Sequence, residues 1–253
     1  MKLDRVIAVR NNKTVFRDGR RCVKIFSPDF PKKNIFSEAL NHAKVEEYID
    51  FVPRVLEVIR HDRNWAIVYD FVKGKTLLQW MEEEPETFEE HLSSFVLLQA
   101  KIHQTKAESL NKMKDLFFDA IDSVSLEPNL KAALRKGLEK KKVSSALCHG
   151  DFVPSNVIVG EDGNFTVIDW ASAFSGEPLA DVAATYLLAK IRMGDRMADA
   201  YRKAYLNQMQ KNDGTVEEWI PYAAVFLMKS ANEATRNALL PYVKSIENKG
   251  ETK

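Results

Sequence analysis

The first 70 residues alternate between short apolar runs and turn signals, and this pattern limits most strongly which folds the chain can adopt. Five runs rich in β-branched and aromatic residues predict strands: RVIAVR, TVF, RCVKIF, RVLEVI and WAIVYDF. The stretch RDGRR predicts a hairpin turn between the second and third runs. A helix is predicted between the third and fourth runs, where NIFSEALNHAKVEEYID has apolar residues at helical spacing. This part of the chain therefore reads as a small sheet with one main helix.

After the segment VKGK the periodicity changes to that of helices. Helical spacing dominates residues 76–142 and returns in the last third of the chain, with SALCHG, NVIVG and FTVIDW as a short β section between. We predict an N-terminal lobe over residues 1–72, a hinge at its end, and a mainly helical C-terminal lobe over residues 73–253. Pro221 and Pro241 are predicted near helix starts, where proline is tolerated.

The composition narrows the class of partner. The chain has 253 residues, 45% hydrophobic and 29% charged, which is typical of a globular protein with a sizeable core. Its 37 Lys and Arg nearly balance 36 Asp and Glu, so we expect no nucleic-acid partner bound through bulk charge. Cys22 and Cys148 have no CxxC partner, which argues against a disulfide scaffold or a zinc site.

The hydropathy pattern gives an expected location. No apolar run approaches the roughly 18 residues of a membrane span, and MKLDRVIAVRNN has no long apolar core of the kind found in secretory signals. We therefore expect a cytoplasmic protein without a membrane partner. We also expect the protein to be a monomer or a weak dimer.

Polar residues cluster around the second hairpin, in HGDFVPSN at residues 149–156 and in VIDW at residues 167–170. Asn156 leads into strand VIVG, which turns through EDGN and returns as FTVIDW. A hairpin of this length brings the residue before its first strand beside the residue after its second, so Asn156 and Asp169 are predicted neighbours. Their amide and carboxylate oxygens are ligands that Mg²⁺ prefers. Asp151 lies one tight loop before Asn156 and is predicted to meet whatever the metal holds.

Two other interpretations of HGDFVPSN are weaker. A zinc site is disfavoured because His149 has no second histidine or cysteine at ligand spacing. A serine hydrolase is disfavoured because Ser155 lies in no G-x-S-x-G elbow. We predict that His149 has a structural role and shapes the loop together with Gly150.

HGDFVPSNVIV followed by VIDWASAFSGEPLADVA resembles the aminoglycoside phosphotransferase and choline kinase family, relatives of the protein kinases. The family pattern is His-Gly-Asp, four residues and Asn, followed by an Ile-Asp-Trp-type metal segment, and protein kinases use an equivalent Asp-to-Asn spacing. The resemblance covers about residues 5–190. It implies an α+β, protein-kinase-like two-lobe fold, with a small antiparallel sheet and one main helix in the first lobe and a larger helical second lobe.

The resemblance also implies a nucleotide site in the first lobe. Lys24 of RCVKIF would hold the phosphates of ATP or GTP, and Glu38 of FSEAL would orient that lysine. The segment WAIVYDFVKGKTL matches the family hinge, so the backbone from Asp70 to Val72 would hydrogen-bond the base. By itself, a lysine in a strand is as easily a solvated outward residue.

The sequence departs from the wider pattern at two places. RNNKT stands where protein kinases have a glycine-rich phosphate loop, so the backbone of Asn11 to Lys13 and the Lys13 charge are expected to contact phosphates instead. Val153 replaces a histidine that many relatives carry, which leaves substrate orientation open. Asp181 matches the family aspartate that braces the catalytic loop, although alone it is also an ordinary first-turn helix carboxylate.

The resemblance places the acceptor site on the C-terminal helices and on the segment after the metal-binding aspartate. The candidates are Trp170, Phe174 and Glu177. Glu217, Glu218 and Glu233 would suit a cationic acceptor, although each is more simply a solvated helix charge. Aminoglycosides, choline-like and thiamine-like alcohols and small sugars all remain open as acceptors.

The resemblance predicts a Mg²⁺-dependent phosphotransferase that moves the γ-phosphate of ATP or GTP to the hydroxyl of a small molecule. In this prediction Asp151 accepts the hydroxyl proton or orients the hydroxyl. A nucleotide-binding pseudokinase is disfavoured because Lys24, Glu38, Asp151, Asn156 and Asp169 are all present. A protein kinase is disfavoured by the missing glycine loop and by an Asp-Trp pair in place of Asp-Phe-Gly.

Overall fold

The computed structural model describes residues 3–10, 12–210, 212 and 214–248. Packing divides the chain into two compact units. Unit 1 comprises Met1–Pro85 and Pro154–Ala173, and unit 2 comprises Glu86–Val153 and Phe174–Lys253. Each unit therefore contains two separate stretches of the chain.

The regular elements of the described residues follow one another along the chain. The strands are β1 Arg5–Arg10, β2 Lys13–Asp18, β3 Arg21–Phe26, β4 Val55–His61, β5 Asn64–Asp70, β6 Gly74–Thr76, β7 Ala146–Cys148, β8 Val157–Gly160, β9 Phe165–Val167 and β10 Phe174–Gly176. The helices are α1 Lys32–Glu46, α2 Leu77–Glu83, α3 Phe88–His103, α4 Met113–Ser123, α5 Pro128–Lys140, α6 Pro178–Met193, α7 Asp195–Gln208, α8 Gly214–Glu217, α9 Ile220–Met228 and α10 Glu233–Asn248. Short 3₁₀ turns cover Pro85–Thr87, Pro154–Asn156 and Trp170–Ser172.

Unit 1 is built on an antiparallel five-stranded sheet with the order β1-β2-β3-β5-β4. Side chains alternate between its two faces, as the period of a strand requires. On one face Phe26, Ile67 and Tyr69 pack against Ile35 and Ala39 of α1. The other face carries a second cluster, formed by Val23, Ile25, Ala66 and Val68. Helix α1 is therefore held on the sheet by its apolar stripe.

A smaller sheet completes unit 1, with the order β6-β8-β9. In its hairpin Val157 pairs with Val167, and the Ile168 N–H donates to the Asn156 carbonyl at 2.9 Å. The Val167 N–H donates at 2.8 Å to the carbonyl of Phe51, in the connection between α1 and β4. These bonds fix the hairpin ends against the rest of unit 1.

Unit 2 is mainly helical, with one short two-stranded sheet formed by β7 and β10. One part of its core is aromatic, and the rings of Phe117, Phe174 and Phe226 lie within 5.8 Å of one another by their centroids. In another part the rings of Phe95 on α3 and Phe152 stack at 4.4 Å. The second stack ties α3 to the segment that follows β7.

The structure differs from the sequence predictions at several boundaries. β6 and β10 have three residues each and carry no periodic signal, so they were not predicted. β6 pairs with β8, so unit 1 extends to Pro85 and includes residues 154–173, whereas the predicted lobe boundary follows residue 72. Pro241 lies inside α10 rather than near its start, since the helix begins at Glu233. Among the described residues, no helix has the length and apolar character that a membrane span needs.

Gly74 provides a test of the β6–β8 pairing. A Cβ at this position would overlap the backbone carbonyl oxygen of Val159 and lie 2.9 Å from Cγ2 of Ile158. We expect Gly74→Ala to lower the free energy of unfolding by about 1–3 kcal/mol, because the backbone must shift to relieve the overlap. Urea unfolding followed by tryptophan fluorescence measures the change.

Gly214→Ala is the matched control, because a Cβ at Gly214 meets no atom within 4 Å. We expect this variant to unfold within about 0.5 kcal/mol of the wild type. Equal stability of the two variants would contradict the overlap at Gly74.

Candidate active site

A buried ion pair between a strand and a helix forms the centre of unit 1. Lys24 on β3 and Glu38 on α1 are 8% and 7% exposed, and the Lys24 ammonium donates to Oε1 of Glu38. The Tyr69 hydroxyl lies 3.4 Å from the same oxygen. Burial alone would lower the pKa of Lys24, but the charges of Asp169 and Glu38 outweigh it and hold that pKa well above its usual range. Lys24 is therefore a fixed positive charge.

Asp169 lies between two lysines. Its Oδ1 is 3.1 Å from Nζ of Lys24, and its Oδ2 is 3.2 Å from Nζ of Lys13. Burial would raise the pKa of Asp169, but the two ammonium charges hold it well below the usual range. The carboxylate is therefore ionised and directed toward the buried pair. Lys13 lies on β2, and Asn11, also predicted near the phosphates, lies outside the described residues.

The backbone at Asp169 has an uncommon conformation. Its φ of 63° and ψ of 57° fall in the left-handed region, which aspartate and asparagine tolerate better than most other residues. The residue directly follows the hairpin and opens the turn Trp170–Ser172. Asn41 of α1 donates to the carbonyl of Ala171 in this turn at 3.0 Å. Helix α1 therefore holds both Lys24 and the segment that carries Asp169.

Asn156 and Asp169 lie at the two ends of the β8–β9 hairpin. The hydrogen bond from the Ile168 N–H to the Asn156 carbonyl closes the ladder immediately beside both residues. This is the arrangement that the length of the hairpin predicts. An amide and a carboxylate at adjacent strand ends supply oxygen donors of the kind that suits Mg²⁺.

The proposed hinge begins at Asp70, the last residue of β5, and continues through Val72. The Asp70 N–H donates to the Arg54 carbonyl at 3.0 Å, and the Phe71 N–H donates to the Arg20 carbonyl at 2.9 Å. The Asp70 carboxylate accepts a bond of 2.7 Å from Nε of Arg54. The N–H groups of Asp70 and Phe71 are therefore engaged within unit 1.

Unit 2 has its own buried charge, the carboxylate of Asp181 near the start of α6. Asp181 is fully buried, and its oxygens accept from Gln99 Nε2 at 3.1 Å and from the Gly150 N–H at 2.7 Å. His103 Nε2 lies 3.0 Å from the carboxylate, and the His149 N–H donates to it at 3.2 Å. Burial alone would raise the pKa of Asp181, but the hydrogen bond and charge of His103 outweigh it and hold the pKa below its usual range.

Ligand atoms of His103, Cys148 and Asp181 lie within 4.8 Å of one another. A carboxylate offers about four lone-pair positions, and the four contacts of Asp181 occupy them. Burial and nearby acidic groups raise the pKa of Cys148, which keeps its thiol protonated. This cluster is therefore a bracing network and does not have the character of a metal centre.

The network fixes the loop that carries Asp151. Gly150 has a φ of 78°, a left-handed conformation that glycine adopts without strain, and this turns two successive amides toward Asp181. The Asp151 N–H donates to Nδ1 of the buried His149 at 3.2 Å. The Asp151 carboxylate is 28% exposed and lies 3.1 Å from the Arg192 guanidinium on α6.

The proposed acceptor residues differ in burial. Trp170 is fully buried and its Nε1–H donates to the Val167 carbonyl at 2.9 Å, while Phe174 is fully buried in the aromatic cluster of unit 2. These positions favour packing roles over acceptor contact, because neither side chain has accessible surface. Glu177 is half-buried and directly precedes α6. Of the three, Glu177 is the one that keeps exposed surface.

Sequence reasoning missed several residues of these networks. Gln99 on α3 bonds Asp181, Thr185 and the hydroxyl of Tyr201, and Asn41 holds the turn after Asp169. Their helical spacing gave the same signal as core residues. Arg192 was missed because nothing in the local sequence links the end of a helix to a loop 41 residues earlier.

Comparison with known proteins adds a family and a fold. The model of a family described as "Phosphotransferase enzyme family" matches residues 5–219. No curated protein sequence matches the chain. A thermostable mutant of aminoglycoside phosphotransferase APH(4)-Ia aligns in structure with a TM-score of 0.70 at 14% identity, covering 98% of this chain and 95% of that one.

Two further structures show the same fold. A second structure of the APH(4)-Ia mutant, a ternary complex with AMP-PNP and hygromycin B, has a TM-score of 0.70 at 14% identity and covers 98% of this chain and 94% of that one. Choline kinase LicA from Streptococcus pneumoniae has a TM-score of 0.64 at 14% identity, with 98% and 95% covered. The predicted α+β, protein-kinase-like fold is thereby confirmed.

Replacement of Asp181 tests the bracing network. We expect Asp181→Ala to lower the free energy of unfolding by about 3–5 kcal/mol, because buried donors lose their acceptor. The folded-state pKa is below the ordinary value of 3.8, so the stabilisation by this carboxylate is complete above that value and is lost as the pH falls below it. The difference between wild type and Asp181→Asn should therefore shrink in acid, as urea unfolding at several pH values will measure.

Asp115→Asn on the exposed first turn of α4 is the control, with an expected effect within about 0.5 kcal/mol. A stability gap for Asp181→Asn that widens in acid would refute the sign of this prediction.

Proposed function

The chain belongs to the phosphotransferase enzyme family, and we propose that it transfers the γ-phosphate of ATP or GTP, in a Mg²⁺-dependent reaction, to the hydroxyl group of a small molecule. The observation that carries the proposal is the cluster of Lys24, Glu38 and Asp169 in unit 1. As a member of this family, the chain is a small-molecule phosphotransferase. The nucleotide donor, the metal and the roles of individual residues are our proposal.

The arrangement of charges in unit 1 suits a nucleoside triphosphate. Phosphoryl transfer depends mainly on positioning and on neutralisation of phosphate charge. Lys24 is held in place by Glu38 and stays protonated, so it can grip phosphate oxygens without adjustment on binding. Lys13 supplies a second positive charge 3.2 Å from Asp169. In this proposal Lys13 takes over part of the work that backbone amides of a glycine loop perform in protein kinases.

The base of the nucleotide is assigned to the end of β5 and the residues that follow it. We assign recognition to the Asp70 carbonyl and the backbone of Val72, since the N–H groups of Asp70 and Phe71 are bonded within unit 1. The complexes of similarly folded proteins with AMP-PNP and with ADP support a nucleotide donor.

Asn156 and Asp169 are the residues that would hold Mg²⁺. Their oxygen donors fit a hard divalent cation, and the ionised state of Asp169 keeps the carboxylate available to it. Bound there, the ion would neutralise charge on the nucleotide phosphates. The ammonium groups of Lys24 and Lys13, which contact Asp169, would also contact phosphate oxygens.

Asp151 is assigned to the acceptor hydroxyl. It would take up the hydroxyl proton as the acceptor oxygen bonds to the γ-phosphorus and the bond from that phosphorus to the bridging oxygen of the β-phosphate breaks. The leaving group is the nucleoside diphosphate. His149 and Asp181 act through the loop, since they fix the backbone on both sides of Gly150.

The decisive experiment measures nucleoside diphosphate release from ATP and from GTP with Mg²⁺ against aminoglycosides, amino alcohols, sugars and a generic protein. Turnover with small hydroxyl compounds alone supports the proposal. Nucleotide binding without turnover on any acceptor favours a pseudokinase, and turnover on the generic protein favours a protein kinase.

Lys24→Met should remove the ammonium group that holds the nucleotide phosphates. We expect kcat/KM for the nucleotide to fall by about 10²-fold or more, because a preorganised charge at the transferring group is lost. Lys33→Ala, an exposed lysine on α1, should retain full turnover. A Lys24→Met enzyme with unchanged kcat/KM would exclude the assigned role.

Asp151→Asn should slow the chemical step. A positioned general base contributes about 10²–10⁴-fold, so kcat should fall within that range while the nucleotide KM changes little. Steady-state kinetics with the best acceptor measures both constants, with Asp115→Asn as the control. Near-normal kcat in Asp151→Asn would remove this residue from the mechanism.

Removal of divalent metal should abolish turnover, and Mg²⁺ should restore it. With Asp169→Asn we expect the Mg²⁺ concentration for half-maximal rate to rise by at least about tenfold, since a charged ligand becomes neutral. A titration of the rate against free Mg²⁺ measures the shift. An unchanged Mg²⁺ requirement in this variant would argue against Asp169 as a ligand.

A further inference from the structure

Asp151 has a cation beside it within unit 2. The Arg192 guanidinium lies 3.1 Å from Oδ1 of Asp151, and the two side chains are 48% and 28% exposed. Arg192 lies in the last turn of α6, the same helix whose first turn carries Asp181. One helix therefore both anchors the Asp151 loop through Asp181 and presents a positive charge to the Asp151 carboxylate.

Arg192 has donor capacity left over in this arrangement. A guanidinium carries five N–H donors in a rigid plane, and one carboxylate oxygen uses only part of them. The side chain is nearly half exposed, so a bound molecule can reach the remaining donors. A planar donor set of this kind matches the oxygens of a carboxylate or a phosphate.

Two of the acidic residues that would suit a cationic acceptor, Glu217 and Glu218, are paired with the chain's own cations. Glu217 forms an ion pair with Arg202, and Glu218 lies 3.1 Å from Nζ of Lys141. The same Lys141 ammonium lies 4.5 Å from the centre of the Trp219 ring. An ammonium directed to Glu217 or Glu218 would compete with these cations, and near Asp151 it would meet the like charge of Arg192.

We infer that Arg192 is a specificity-determining residue, and that the acceptor carries an anionic group near its reacting hydroxyl, as in a sugar acid or a hydroxy acid. This inference rests on the proposed phosphotransferase function and on the role of Asp151 in it. The guanidinium binds the anionic group of the acceptor, while the neighbouring Asp151 carboxylate accepts the hydrogen bond, and then the proton, of the reacting hydroxyl. Acceptors with an ammonium group at that place are disfavoured by repulsion.

The test uses glucuronate, glucose and glucosamine, which share a pyranose ring and carry negative, zero and positive charge. For each compound, ADP release with Mg²⁺ and ATP gives kcat/KM, and thermal shift measures binding without turnover. We expect wild type to prefer glucuronate over glucosamine by at least about tenfold in kcat/KM, and to show the larger thermal shift with glucuronate. Arg192→Glu should lower this preference by tenfold or more, and Arg192→Gln should give an intermediate value.

Arg196→Glu is the matched control, because it makes the same charge change at an exposed arginine on α7. It should keep the wild-type preference. The inference is overturned if wild type prefers glucosamine, if Arg192→Glu leaves the preference unchanged, or if none of the three compounds shifts the melting temperature. The proposed function fails separately, if Asp151→Asn turns over any acceptor as fast as wild type.

Discussion

The Lys24 ammonium is almost excluded from water, and much of unit 1 is arranged around the need to compensate it. An unpaired buried charge is strongly unfavourable, so a carboxylate has to come from another element. Glu38 supplies it from α1 and Asp169 supplies a second one from the end of the β8–β9 hairpin. Three separate segments are thereby brought to one point, and a site with fixed charges results.

The same constraint operates with the opposite sign in unit 2. Asp181 is fully buried and is compensated by donors from α3 and from the loop after β7. Two of these donors are the successive backbone amides of His149 and Gly150, and Gly150 forms the turn of the loop. Compensation of the charge therefore also sets the loop conformation. The stability of the helix and the placement of Asp151 therefore share one cause.

In the proposed function, the buried networks and the exposed charges have different tasks. Similarly folded proteins include an aminoglycoside phosphotransferase and a choline kinase, at 14% identity each. In the proposed function the Lys24 network serves the nucleotide and the Asp181 network holds the Asp151 loop, and neither selects among hydroxyl compounds. We assign this selection to Arg192, whose guanidinium lies 3.1 Å from Oδ1 of Asp151.

The sequence by itself determined the local elements and the chemistry of the motif. Strand runs, the main helix and the adjacency of Asn156 and Asp169 follow from periodicity and hairpin length, because those signals act over a few residues. Only the tertiary structure decided that Lys13 contacts Asp169, that Arg192 contacts Asp151, and that Trp170 and Phe174 are buried. Contacts between distant segments depend on how whole elements pack, and spacing along the chain carries no record of that packing.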